Sequence, residues 1–108
     1  MISEFEKGVY FTVKDCFGRK IHTTKNYWRK IVNVKHPIVF EKEDEVKKTL
    51  NIPDFVKRSS QDLKVYLYYK KKGKYYLCVV ARHEDGSGFI ITAYIARSIA
   101  KGEVVWEK

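Results

Sequence analysis

From Asp54 to Ile95 the chain runs as four β-rich stretches cut by short turns, and this half decides what the whole can fold into. Residues 54–58, 64–70, 74–82 and 88–95 are rich in Val, Ile, Tyr and Phe, whose branched or aromatic side chains suit a pleated, half-buried surface. Between them, Lys71-Lys72-Gly73 and Glu84-Asp85-Gly86-Ser87 supply turn residues. The spacing predicts an antiparallel meander of about four strands. Lys101 to Trp106 adds one more short edge strand, or a tail packed through Trp106.

The first half carries other periods. Val9–Val13 and Lys20–Thr23 flank Asp15-Cys16-Phe17-Gly18 and read as a hairpin. From Thr24 the period changes, and Trp28, Ile31, Val32 and Lys35 fall on one helix face, with Thr23 or Thr24 as N-cap. Pro37 disfavours the α region at His36 and ends that helix. Glu41, Glu43, Asp44 and Glu45 precede Lys47 and Lys48, a charge order that complements a helix dipole, with Val46 and Leu50 four apart and Asn51 as a stop. A hairpin, two helices and then a run of strands predicts an α+β domain with helices on one face of the sheet. Its single core is expected from Trp28, Ile31, Val32, Val46, Leu50, Leu67, Leu77, Val79, Phe89 and Ile91.

At 108 residues the chain is expected to form one domain, residues 1–108. No apolar run reaches the roughly 18 residues of a membrane span, and Met1–Val9 carries Glu4, Glu6 and Lys7 where a signal peptide is apolar. A cytoplasmic protein that does not engage a membrane is expected. Cys16 and Cys78 are far apart and in no CxxC pair, so neither a disulfide framework nor a zinc site is suggested, and both read as small buried hydrophobes. Lys and Arg number 22 against 13 Asp and Glu, a net charge of +9 that attracts polyanions and points to nucleic acid. The bland alternative is a Lys-rich surface that keeps the protein soluble, as in thermophiles, which the low amide content also fits.

No GxGxxG, GxxxxGK[ST] or HExxH motif occurs, so no cofactor is expected. What remains suits phosphodiester chemistry: a histidine, several arginines and lysines, and hydroxyls. His36 sits where the first helix ends, and the negative end of the helix dipole stabilises imidazolium there; the alternative is a capping or phosphate-contacting role. His22 in the hairpin and His83 at a turn read as surface histidines. Thr92 and Tyr94, two apart in a strand, point to one face about 7 Å apart, to hold a phosphate or base or else to be satisfied in the core. Arg58-Ser59 offers a guanidinium and a hydroxyl to phosphate oxygens. Tyr66, Tyr68, Tyr69, Lys70, Lys71, Lys72, Lys74, Tyr75 and Tyr76 interleave aromatic and basic groups, a composition that stacks bases and neutralises phosphates, although alternation sends half of the tyrosines to the core.

The ordered landmarks Tyr27-Trp28, Lys35-His36-Pro37, Ile52-Pro53-Asp54, Arg58-Ser59, Tyr76-Leu77-Cys78-Val79-Val80 and Gly88-Phe89-Ile90-Ile91-Thr92-Ala93-Tyr94 resemble small phage-type proteins of the barnase, EndoU, colicin and RelE superfamily. The resemblance covers about residues 23–106. It implies helices before a four-stranded antiparallel sheet and, for several relatives, metal-independent ribonuclease activity as a toxin or phage effector. Position by position it implies catalytic roles for His36, Arg58, Thr92 and Tyr94, with Ser59 beside Arg58. Where relatives often carry a glutamate after His-Pro, Ile38 stands here. The expected function is an endoribonuclease working through 2′-hydroxyl attack, with Lys35, Ser59, Tyr68, Lys70 and Trp28 as substrate-binding residues and RNA as partner. The alternatives are an RNA-binding module without catalysis, or a protein whose charge meets an acidic partner such as an antitoxin.

Overall fold

The computed structural model describes residues 8–35 and 42–108. The first hairpin joins β1 (Val9–Lys14) to β2 (Lys20–Thr24), and Asp15 closes it: its Oδ1 accepts from the backbone N–H groups of Phe17 and Arg19 at 3.0 and 2.7 Å. Gly18, at φ 87°, completes the reversal. Thr24 then caps α1 (Lys25–Lys30), its Oγ1 accepting from Tyr27 N at 3.1 Å. The predicted helix does not keep one period, because Ile31–Lys35 widens into a π-helical turn. Helix α2 (Glu43–Asn51) opens on three acidic residues and ends with Asn51 Nδ2 donating to Lys14 O and Leu50 O accepting from Cys16 N, which pins it to the hairpin.

Strands β3 (Phe55–Ser59), β4 (Val65–Lys72), β5 (Tyr75–Glu84) and β6 (Ser87–Ala96) form the predicted antiparallel meander, followed by β7 (Gly102–Glu107). Among the described residues the seven strands make one mixed sheet in the order β1-β2-β6-β5-β4-β3-β7. Two joins extend the meander at its edges. β2 runs parallel to β6 with Ile21 opposite Gly88, and β7 lies antiparallel to the outer edge of β3. At Gly88 an added Cβ would stand 2.6 Å from Arg82 O and 2.8 Å from Ile21 Cδ1, so glycine is what lets the buried Ile21 seat against β6.

The expected single core is divided by the sheet into two. On one face Trp28, Ile31, Val32, Val46 and Leu50 pack on Ile21, Val56, Tyr68, Leu77, Val79, Ala81, Ile90 and Ala93. Each such burial removes apolar surface worth about 1.5–3 kcal/mol for a large side chain. On the reverse face Leu67, Tyr69, Cys78, Val80 and Ala96 cluster with Phe55, Tyr76, Ile91 and Tyr94. Residues 97–101 cross there on the way to β7: Ala100 N donates to the Tyr69 hydroxyl at 3.0 Å, and Lys57 Nζ donates to Ala100 O at 3.0 Å. Leu67 therefore belongs to the second cluster. Phe89 and Ile91 do not face the helices, and Ile90 does, because the β5–β6 register steps from Ala81↔Ile90 to Val80↔Thr92 and leaves Ile91 as the extra residue of a bulge. No helix among the described residues is long and apolar enough to cross a membrane.

Candidate functional site

Strand parity separates the residues expected to act together. Arg58 lies opposite Tyr66 and two residues after Val56, on the helix-bearing face of the sheet. Thr92 and Tyr94 lie opposite Val80 and Cys78, sharing a face as their spacing predicts, but that face is the reverse one. The sheet therefore stands between the Arg58 guanidinium and the two hydroxyls, and one hollow holding all three does not form. Thr92 Oγ1 is buried without a hydrogen-bond partner among the described residues, while burial, with Cys78 and Tyr69 as neighbours, raises the pKa of Tyr94. His36 lies outside the described residues, and Lys35 is the last residue of the π-helical turn.

The expected substrate-binding residues are largely committed elsewhere. Ser59 Oγ accepts from Gln61 N and Asp62 N and so builds the turn after β3. Lys70 Nζ donates to Ile52 O at 2.9 Å. Trp28 is 7% exposed and edge-on to Phe11, and it lines a hollow of about 570 Å³ with Tyr10, Arg29 and Glu43. Tyr68 has no exposed surface, so its ring cannot stack a base. Alternation along β4 turns it inward, toward two polar groups that the sequence did not connect.

Those groups are Asp15 and His83. The Asp15 side chain is fully buried, and its Oδ2 accepts from the Tyr68 hydroxyl at 2.5 Å. His83 Nε2 stands 2.6 Å from the same hydroxyl oxygen and 3.8 Å from Asp15 Oδ2. A carboxylate only accepts, so the hydroxyl proton goes to Asp15 and the Tyr68 oxygen takes the Nε2–H of His83. Nδ1 is then the unprotonated ring nitrogen. Burial, with the Arg19 cation adding to it, pushes the His83 pKa down to about 4, so the imidazole is neutral at pH 7. His83 is thus a buried residue, 7% exposed, and the reading of it as a surface histidine is corrected. Leu77, Val79, Ala81 and His83 alternate onto the same face of β5, a signal that the adjacent turn residues masked.

His83 opens onto a hollow of about 490 Å³ lined by Phe17, Gly18, Arg19, Arg58, Tyr66, His83, Gly86 and Val105. Its walls are aromatic: Tyr66 stacks on His83 with centroids 3.7 Å apart at 12°, and Phe17 meets both rings edge-on. Its donors are the two guanidiniums. Arg19 Nη1 donates to Glu84 O at 2.6 Å, and Arg58 Nη2 to Glu103 Oε1 at 2.7 Å, which engages one nitrogen of each fork. Gly102 lets β7 close against Arg58, since an added Cβ would stand 2.3 Å from Arg58 O.

Two guanidiniums, one acceptor nitrogen and aromatic walls suit an anion that carries a flat ring. The cysteines suit no nucleophilic role: burial raises the half-buried Cys16 to about 12 and the buried Cys78 to about 11, so both stay thiols. A second basic and aromatic surface lies at the β4–β5 hairpin, with Lys71 Nζ 4.6 Å from the Tyr76 centroid and the Arg97 guanidinium 5.4 Å from the exposed Tyr75. Comparison with protein-family models, curated proteins and solved structures found no match to this chain.

Proposed function

We propose that the chain binds RNA and cleaves it by attack of a ribose 2′-oxygen on the adjacent phosphorus. The observation that carries this reading is the pair Arg19 and Arg58 at one aromatic-walled hollow, in a chain whose net charge is +9. Phosphate contacts by guanidinium supply affinity, and exposed rings supply stacking, the two ingredients of single-stranded RNA binding. In the cleavage step the P–O5′ bond breaks as the O2′–P bond forms, leaving a 2′,3′-cyclic phosphate and a 5′-hydroxyl. Arg58 stabilises the charge that builds on the phosphorane oxygens, a contribution of about 3 kcal/mol for a well-placed donor. His36 is the proton carrier implied by the resemblance, with Lys35 next to it in the chain. The same proposal places the protein in the cytoplasm as a toxin or phage effector, with an acidic antitoxin as candidate protein partner.

A second reading, RNA binding without cleavage, is favoured by one observation: Arg58 and the Thr92–Tyr94 pair occupy opposite faces of the sheet. Labelled RNA incubated with protein in EDTA separates the two. Cleavage by the wild type that is lost in His36→Ala and Arg58→Ala supports the first. Binding with intact RNA at high protein concentration supports the second. Absence of binding at low salt removes RNA and leaves an acidic protein as the partner of the charge.

A further inference from the structure

We infer, resting on the RNA reading above, that the hollow is a subsite for one ribonucleotide unit: its phosphate lies between Arg19 and Arg58, its base packs against Phe17 and Tyr66, and a base N–H donates to His83 Nδ1. A simple anion does not account for what lines this space. Phosphate needs donors, which the arginines supply, but it has no use for an aromatic wall. The volume, about 490 Å³, is that of a small-molecule site and exceeds what a phosphate fills. A base, by contrast, presents both a π-face and N–H donors on its edge.

The acceptor is built in from behind. Asp15 Oδ1 is occupied by the hairpin turn and Oδ2 by Tyr68, whose oxygen in turn holds Nε2–H of His83. The ring cannot flip its tautomer without breaking this chain, so Nδ1 stays an acceptor toward the ligand. Tyr66, stacked flat on the imidazole, holds its plane. Phe17, 39% exposed at the mouth, is the platform open to a base.

One group competes with the ligand. Glu103, whose side chain is 65% exposed, holds Arg58 at 2.7 Å, and a phosphate that engages the Arg58 fork displaces it. The Glu84 carboxylate is drawn toward Arg82 at 3.3 Å on the other side of β5. Glu103 is therefore the residue that lowers affinity in the free protein.

The test titrates the full chain with adenosine 3′-monophosphate, uridine 3′-monophosphate and inorganic phosphate, reading the His83 ring nitrogens by NMR. Nucleotides are expected to bind about tenfold or more tightly than phosphate and to move the His83 Nδ1 signal. Arg58→Gln and Phe17→Ala weaken the nucleotides about tenfold, whereas Glu103→Gln tightens them; Phe17 and Glu103 are exposed, so their variants fold. Equal binding of phosphate and nucleotide, or nucleotide binding with His83 unmoved, overturns the subsite. RNA held tightly with no change at His83 or Phe17 also overturns it while leaving the RNA reading intact. Absence of RNA binding at low salt removes both.

Discussion

Replacing Tyr68 by phenylalanine deletes one oxygen and little else, and that oxygen joins Asp15 to His83 beneath the hollow. The ring keeps its packing in the helix-facing core, so the loss is one of hydrogen bonding. Two buried atoms lose their shared partner: Asp15 Oδ2, on a side chain with no exposure, and His83 Nε2, on a ring 7% exposed. An unsatisfied buried group costs about 1–3 kcal/mol, and more when charged, so the pair amounts to about 3–5 kcal/mol. Against a total of about 5–15 kcal/mol for a domain, that is a large share of stability. Urea unfolding of wild type and Tyr68→Phe measures it, and the Tyr68→Phe/Asp15→Asn double-mutant cycle isolates the coupling. A loss below about 1 kcal/mol, or additive single-mutant effects, refutes the claim that this network is closed and buried.

The pH dependence follows from the same histidine. Its folded pKa, about 4, lies below the 6.5 of an unperturbed imidazole, so between those values the unfolded chain binds the proton first. The His83 contribution to stability is therefore full above pH 6.5 and falls by about 3 kcal/mol as pH drops to 4, so unfolding curves of His83→Phe are shallower in pH by that amount. His22, also lowered chiefly by burial, adds in the same direction and remains in that variant. Gly102→Ala places a Cβ against Arg58 O at a φ of 151°, so thermal unfolding shows a loss of about 2 kcal/mol and the β3–β7 edge loosens. Thr92→Val replaces an unpartnered buried hydroxyl by a methyl; the same unfolding assay shows no loss, or a gain of about 1 kcal/mol, whatever its effect on RNA.

Which parts of this protein could be read from its residues follows from how local the determinants are. The meander is local chemistry: Gly73 and Gly86 sit at positive φ between runs of alternating β-formers, and both turns form where expected. Thr24 as N-cap and the acidic first turn of α2 are equally local. The parallel pairing of β2 with β6 and the return of β7 to β3 depend on partners 40 or more residues away, which no period within a strand encodes. The bulge at Ile91 reversed the expected facing of Phe89 and Ile91, since one extra residue swaps a strand's two faces. At the site, the shared face of Thr92 and Tyr94 was legible from their spacing, whereas the pairing of Arg58 with Glu103 of a strand 45 positions on was not. That Arg58 and the two hydroxyls lie on opposite sides of the sheet depends on register across four strands. His83 and Asp15 were passed over because each borders a turn, where a polar residue reads as solvated; only the tertiary fold brings Tyr68 between them.

The most direct test of RNA at this hollow is the salt dependence of RNA affinity for wild type and for Arg19→Gln/Arg58→Gln. Each phosphate contact contributes about one unit to the slope of log affinity against log salt, slightly less on single strands. Tight binding at low salt is expected, with a slope shallower by about one in the double variant, matching one phosphate held between the two guanidiniums. An unchanged slope and affinity, or no RNA binding by the wild type at low salt, contradicts it.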